Sequence, residues 1–377
     1  MALGLFWASI ALLVFLAVLS LDIMGFFSRK NHFPVDGRTV ILTGGSTGMG
    51  RGLGKLLAQR GANVIIVARN VKKLQAALEY ISAAAVKPQT QRFHYISADL
   101  TSAAENARIL AEATAWNNGQ TPEIVWANAG AAIPSLFLDA SIETMRQQMD
   151  VNFWAATYLA HATLKAWLYP STSTTSTSKP TTSSSATAPP AKKAPEPPRH
   201  FVLTSSSIAF CNIAGYGTYG ASKAALRSLA DSLRSELNLY NGARRSATSK
   251  TGVPPAPYDV QIHAIYPGTI LSPGHDAEGE TKHDVTRILE ESDPRQSEDE
   301  VAIAAIKGLE RGDYMVATNW LGQLMRVSAM QGSPRDNIVW DTMVGWVTSL
   351  AWLFIGPDME GKVWGWGKKN GMPRASG

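Results

Sequence analysis

Between residues 38 and 50 a short apolar run, Arg38-Thr-Val-Ile-Leu-Thr43, passes directly into the turn Gly44-Gly-Ser-Thr-Gly-Met-Gly50, and a helical pattern then continues to Arg60. A buried strand, a glycine-rich turn and a helix in that order leave few folds open, because a parallel neighbour for the strand is reached only by crossing over a helix. The rest of the chain repeats the unit. Further strands are expected at Asn63–Ala68, His94–Asp99, Glu123–Ala127, Phe201–Ser205 and Val260–Tyr266, separated by helical patterns at 72–84, 103–116, 141–167 and 219–240. Strands alternating with helices at this interval describe βαβ units and an α/β domain built on a doubly wound parallel sheet.

Two insertions interrupt the alternation. Residues 170–198 are almost entirely Ser, Thr, Pro, Ala and Lys and read as a disordered loop; residues 241–257 form a shorter basic, Pro-containing insertion, also expected to be disordered. With 377 residues, 45% of them hydrophobic, the remainder suffices for a large core. Cys211 is the only cysteine, which excludes an intramolecular disulfide. The net charge of +5 comes from scattered cations, which argues against a nucleic-acid partner, and the few histidines lack metal-ligand spacing.

Both ends look different from the middle. Ala2–Leu21 carries no charge and approaches the ~20 residues a helix needs to cross a bilayer. No basic segment precedes it, as a cleaved signal would require, and Arg29 and Lys30 follow it, which places the next domain in the cytosol. The expected organisation is an anchor at 1–27, the α/β domain at 36–312, and an apolar C-terminal membrane-associated region with a basic tail at 313–377. Ile338–Ile355 is Trp-rich and interrupted only by Asp341. It reads as a membrane-associated segment or as a buried helix of the soluble domain. One full crossing would carry Lys362, Lys368, Lys369 and Arg374 across the bilayer, so an interfacial or re-entrant segment, or a hairpin with Tyr314–Met330, fits the charge pattern better.

The glycine spacing Gly44-x-x-x-Gly48-x-Gly50, with Ser46, Thr47 and Met49 in the same turn, lets backbone approach a pyrophosphate at a helix N-terminus. At the end of the second strand, Val67-Ala68-Arg69-Asn70 offers no carboxylate for ribose hydroxyls. Arg69, with Lys73 one turn on, suits the 2′-phosphate of NADP instead. Asp99, followed by Leu100, is placed for the adenine amino group, and the small-residue turn Asn128-Ala129-Gly130 lets a cofactor ribose come close. Tyr219 and Lys223, four apart on a helix, share a face. The ammonium is expected to lower the phenol pKa and make Tyr219 a general acid for a carbonyl oxygen.

Thr-Gly-x-x-x-Gly-x-Gly, Asn-Ala-Gly, Asn152, Ser206, Tyr219-x-x-x-Lys223 and Pro267-Gly268 occur in that order, and together they resemble the short-chain dehydrogenase/reductase family from about Arg38 to about Thr269. The resemblance implies a Rossmann-type fold and NADPH-dependent ketone reduction. Catalysis would rest on Tyr219, Lys223, Ser206 and Asn152, the last holding a water that relays protons to Lys223. Lys223 would also bond the nicotinamide ribose and Thr269 would border the nicotinamide amide. Val67-Ala-Arg-Asn70, Ser272-Pro-Gly274, Thr281-Lys282 and Thr286 are similar to a branch that acts on long-chain sphingoid ketones at the endoplasmic reticulum. That branch implies a lipid ketone as substrate, the bilayer as partner, a cytosolic catalytic domain and a homodimer formed through the long helices. The pocket is expected between Thr269–Leu289 and residues near Ile133, with Asp276 or Glu278 meeting a substrate ammonium. A reductase of steroid, retinoid or acyl-chain ketones, and a non-catalytic NADP-binding scaffold, are the alternatives.

Overall fold

The computed structural model describes residues 30–170, 196–246 and 250–373. The expected anchor at 1–27 and nearly all of the insertion at 170–198 lie outside the described residues.

Seven strands form one sheet: β1 (Thr39–Thr43), β2 (Asn63–Ala68), β3 (Phe93–Ser97), β4 (Ile124–Ala127), β5 (Arg199–Thr204), β6 (Val260–Tyr266) and β9 (Met315–Ala317), in the order β3-β2-β1-β4-β5-β6-β9. Every pairing is parallel. A second, two-stranded sheet pairs β7 (Thr269–Ile270) with β8 (Arg295–Gln296). The strand order reverses between β1 and β4, which opens a crevice at the carboxyl ends of these strands.

Helices cover both faces, and the strand side chains divide between them with period two. Ile41, Ile65, Val125 and Phe201 pack with residues of α3 (Ala103–Trp116), α5 (Ala155–Leu168) and α6 (Gly217–Ala243), among them Ile109, Leu159, Trp167 and Leu226. Val40, Leu42, Ile66 and Trp126 pack on the opposite face with Leu53 and Leu57 of α1 (Gly48–Gln59), Leu74 of α2 (Val71–Ser82) and Ile306 of α9 (Glu298–Arg311). Burying both faces explains why these strands are apolar almost throughout.

The expected helical region at 141–167 is helical without a gap but not α-helical throughout. It comprises α4 (Ile142–Met149), a π-helical stretch at Asp150–Trp154, and α5. Asn152 supplies the cause, because its Nδ2 donates to the Gln148 carbonyl at 3.0 Å and to the Ala131 carbonyl at 2.8 Å. A side chain inserted at an i−4 carbonyl displaces the regular ladder. At 241–257, Asn241–Ala243 complete α6, and Asn241 exchanges hydrogen bonds with the Val260 backbone.

The sheet continues past residue 312, since β9 pairs with β6. Tyr314–Met330 therefore holds a sheet strand and α10 (Trp320–Ser328), and it is not available as one arm of a membrane hairpin. The last helix, α11, spans Ile338–Asn370 and passes through Pro357. By length and composition it is able to cross a membrane. Trp346, Leu350, Leu353 and Phe354 are exposed along it, so it is not a buried core helix. Asp341 is its docking point rather than an interruption. Its carboxylate accepts from Arg326 Nη2 at 2.5 Å and Nη1 at 3.2 Å, with both side chains buried, and from the Asp336 and Asn337 amides at 3.0 and 3.3 Å. The crevice side is completed by α7 (Pro273–Thr281) and α8 (Asp284–Leu289), which follow β7.

Candidate active site

The ends of β1, β4 and β5 are joined by hydroxyls. Thr43 Oγ1 accepts from the Asn128 and Ala129 amides at 2.9 and 3.1 Å, and Thr204 Oγ1 accepts from Trp126 Nε1 at 3.0 Å while donating to Asn128 Oδ1 at 3.2 Å. This holds Asn128-Ala129-Gly130 against the glycine turn. Gly44 has φ +67°, and a Cβ there would lie 2.9 Å from Ala129 Cα, so both conformation and space demand glycine. Gly45, Ser46, Thr47, Gly48, Met49 and Gly50 carry the chain into α1.

The first turn of α1 has no side-chain cap and no acidic residue, whereas Asn70, Ser102, Ser141, Ser272 and Ser297 cap α2, α3, α4, α7 and α9. Free amide donors at that position suit an anion. Arg69 and Lys73 are exposed nearby at the start of α2, where Asn70 accepts from the Lys73 amide. Asp99 Oδ1 accepts from the Thr101 amide and hydroxyl at 3.0 and 2.8 Å. Those bonds hold its carboxyl below the usual range, and the charge of Arg69 acts in the same direction. Leu100, beside it, is buried. Uncapped amides, exposed cations and a carboxylate along one rim fit a dinucleotide cofactor.

At the other end of the crevice, α6 presents Tyr219 and Lys223 one turn apart. Lys223 is buried, donates from Nζ to the Thr204 carbonyl at 3.1 Å and lies 5.8 Å from the Tyr219 ring centroid. Burial lowers its pKa to about 8. Gly130 joins Lys223 to Asn152: a Cβ on it would come 2.8 Å from Asn152 Oδ1 and 2.9 Å from Lys223 Nζ. Asn152 Oδ1 also accepts from the Ala131 amide at 3.0 Å, which fixes the side chain beside Gly130.

Among the three consecutive serines the structure discriminates by partner. Ser205 is buried and donates to the Lys223 carbonyl at 2.9 Å, which commits it to holding α6. Ser206 Oγ contacts the Pro267 carbonyl at 3.5 Å and accepts from the Ile208 amide at 3.3 Å. Burial and the charge of Glu278 push the Tyr219 phenol well above its ordinary range, and the nearby Ser206 hydroxyl draws it down only in part. The expected net lowering of the phenol is therefore absent from the chain itself. The physical reason is desolvation, with the ammonium turned towards the Thr204 carbonyl.

Thr269 lies in β7, at the entrance to the α7–α8 segment. A cavity of about 370 Å³ lies between Ile133–Leu136, Asp139, Ala140, Thr144, Thr281 and His283. The His283 ring meets Trp366 of α11 edge-on at 4.7 Å, which connects the cavity wall to the apolar helix. Asp276 is exposed, whereas Glu278 is half-buried and accepts from the Tyr216 hydroxyl at 3.2 Å. Sequence reasoning overlooked Tyr216; its only signal was adjacency to the Tyr219 motif.

Fold and site define a nicotinamide-dependent oxidoreductase. The chain belongs to the short-chain dehydrogenase/reductase family, whose short chain dehydrogenase model matches residues 38–186. It is 48% identical over 345 residues to the 3-ketodihydrosphingosine reductase ksrA of Aspergillus fumigatus, covering 92% of this chain and 89% of that protein. It is 44% identical over 351 residues to the 3-ketodihydrosphingosine reductase gsl-3 of Neurospora crassa, covering 93% and 88%. Among solved structures, a short-chain type dehydrogenase/reductase from Mycobacterium ulcerans shares the fold with a TM-score of 0.54 at 21% identity, over 76% of this chain and 89% of that one. An alcohol dehydrogenase from Thermococcus sibiricus, complexed with 5-hydroxy-NADP, gives 0.52 at 18% identity, over 74% and 95%.

Proposed function

We propose that the protein reduces the 3-keto group of 3-ketodihydrosphingosine to dihydrosphingosine with NADPH, at the endoplasmic reticulum membrane with its catalytic domain in the cytosol. The observation that carries the substrate is the 48% identity to a reductase of that name along nearly the whole of both chains. NADPH, when bound, supplies the hydride to the carbonyl carbon. Ser46–Gly50 and the uncapped α1 amides receive its pyrophosphate, Arg69 and Lys73 its 2′-phosphate, Asp99 and Leu100 its adenine, Asn128–Gly130 and Lys223 its riboses and Thr269 its amide.

Tyr219 gives its proton to the carbonyl oxygen while Ser206 donates a hydrogen bond to the same atom. Lys223 then stabilises the phenolate, and Asn152 holds the water through which the proton is replaced. Reduction requires a protonated phenol and alcohol oxidation an ionised one. The Tyr219 phenol is in the protonated donor form at neutral pH, and burial holds it there in the chain itself. The anchor at 1–27 and the exposed apolar side of α11 would hold the site at the bilayer, and the contact between His283 and Trp366 supports a lipid route into the cavity. A homodimer through the long helices belongs to the same reading.

The test is NADPH oxidation by detergent-solubilised protein with 3-ketodihydrosphingosine, beside a panel of steroid, retinoid and acyl-chain ketones. Tyr219→Phe is expected to lose about 10²–10⁴-fold in kcat while still binding NADPH. Turnover of another ketone only would overturn the substrate, and NADPH binding without any turnover would leave a scaffold.

A further inference from the structure

Glu278 has no ion-pair partner among the described residues. It is half-buried on α7, and its single side-chain hydrogen bond comes from the Tyr216 hydroxyl at 3.2 Å. Tyr216 lies directly before α6, and its ring centroid is 5.7 Å from that of Tyr219. Lys282, one turn further along, pairs with Glu290 at 2.6 Å, and its charge acts on Glu278 only from beyond ion-pair distance. A carboxyl group is thus held against the aromatic pair at the reacting end of the crevice, with only one of its oxygens hydrogen-bonded among the described residues. The ammonium of Lys223 already places one cation beside Tyr219. A substrate with a second cation one carbon from its carbonyl needs an anion on the open side to enter that field.

Resting on the substrate class proposed above, we infer that Glu278 recognises the primary ammonium of an α-amino ketone and sets the preference for it over ketones of equal length without the amine. Tyr216 is the positioning residue that aims the carboxylate.

The experiment compares kcat/KM for 3-ketodihydrosphingosine with that for 1-hydroxyoctadecan-3-one, the same chain lacking the amine, in wild type, Glu278→Gln, Glu278→Asp and Tyr216→Phe. Glu278→Gln is expected to lower the ratio of the two values about 10- to 100-fold, chiefly through KM for the amino ketone, as loss of a charged hydrogen bond would. Glu278→Asp should recover part of the ratio, and Tyr216→Phe should lower it less. An unchanged ratio in Glu278→Gln, whether both activities fall or neither does, would overturn the assignment. Wild type inactive on both ketones would overturn the substrate class and this inference with it, and that result is visible before any variant is compared.

Discussion

Replacing Asp341 by Asn tests how α11 is attached. Arg326 and Asp341 are each 2% exposed, and their two-pronged contact is made at 2.5 and 3.2 Å. Breaking a buried pair from one side costs about 3–5 kcal/mol, because the remaining charge stays desolvated. Here Asp336 Oδ2 lies 3.4 Å from Arg326 Nη1 and offsets part of that charge. The asparagine carbonyl also keeps an acceptor for the Asp336 and Asn337 amides. The loss should then fall at the lower end, about 3 kcal/mol. For a domain of this size, about 2–4 °C per kcal/mol gives a fall in melting temperature of roughly 6–12 °C. Thermal and urea unfolding in detergent would be measured for Asp341→Asn, Arg326→Met and the double variant. A coupling of about 1–3 kcal/mol is expected. A loss under about 0.5 kcal/mol, or additive single changes, would refute the reasoning. Since α11 also touches the cavity wall through Trp366 and His283, KM for a long-chain ketone should rise more than KM for a short, water-soluble one.

The remaining predictions concern the crevice. Lys223 is charged below a pKa of about 8 and neutral above it, so ketone reduction that depends on its ammonium should fall as the pH rises through about 8. A kcat–pH profile checks this, and Lys223→Arg should move the alkaline limb upward because a guanidinium stays protonated. Arg69→Ala should raise KM for NADPH about 10- to 100-fold and leave KM for NADH nearly unchanged, as loss of a charged contact to the 2′-phosphate predicts; parallel initial rates with the two cofactors decide it.

Much of the fold was legible because its signals are local. Asn63–Ala68 and Val260–Tyr266 are strands over the bounds their apolar runs suggest, and Ala103–Trp116 is a helix over its own. Tyr219 and Lys223 share a helix face as their spacing requires. Other features depend on partners far along the chain. The π-helical stretch at Asn152 needs the Ala131 carbonyl, 21 residues away. The choice between Ser205 and Ser206 needs Lys223 and Tyr219 in place. Strand β9 has too few residues to carry a pattern of its own and is a strand because β6 is there to pair with it.

The sequence by itself determined the alternating α/β plan, the glycine turn and the Tyr–Lys pair, since periodicity, backbone freedom and helical spacing act over a few residues. Only the tertiary structure decided the sign of the phenol shift, the attachment of α11 and the setting of Glu278. Desolvation and ion pairing depend on what surrounds a group, and those surroundings are assembled by elements that meet only when the chain has folded.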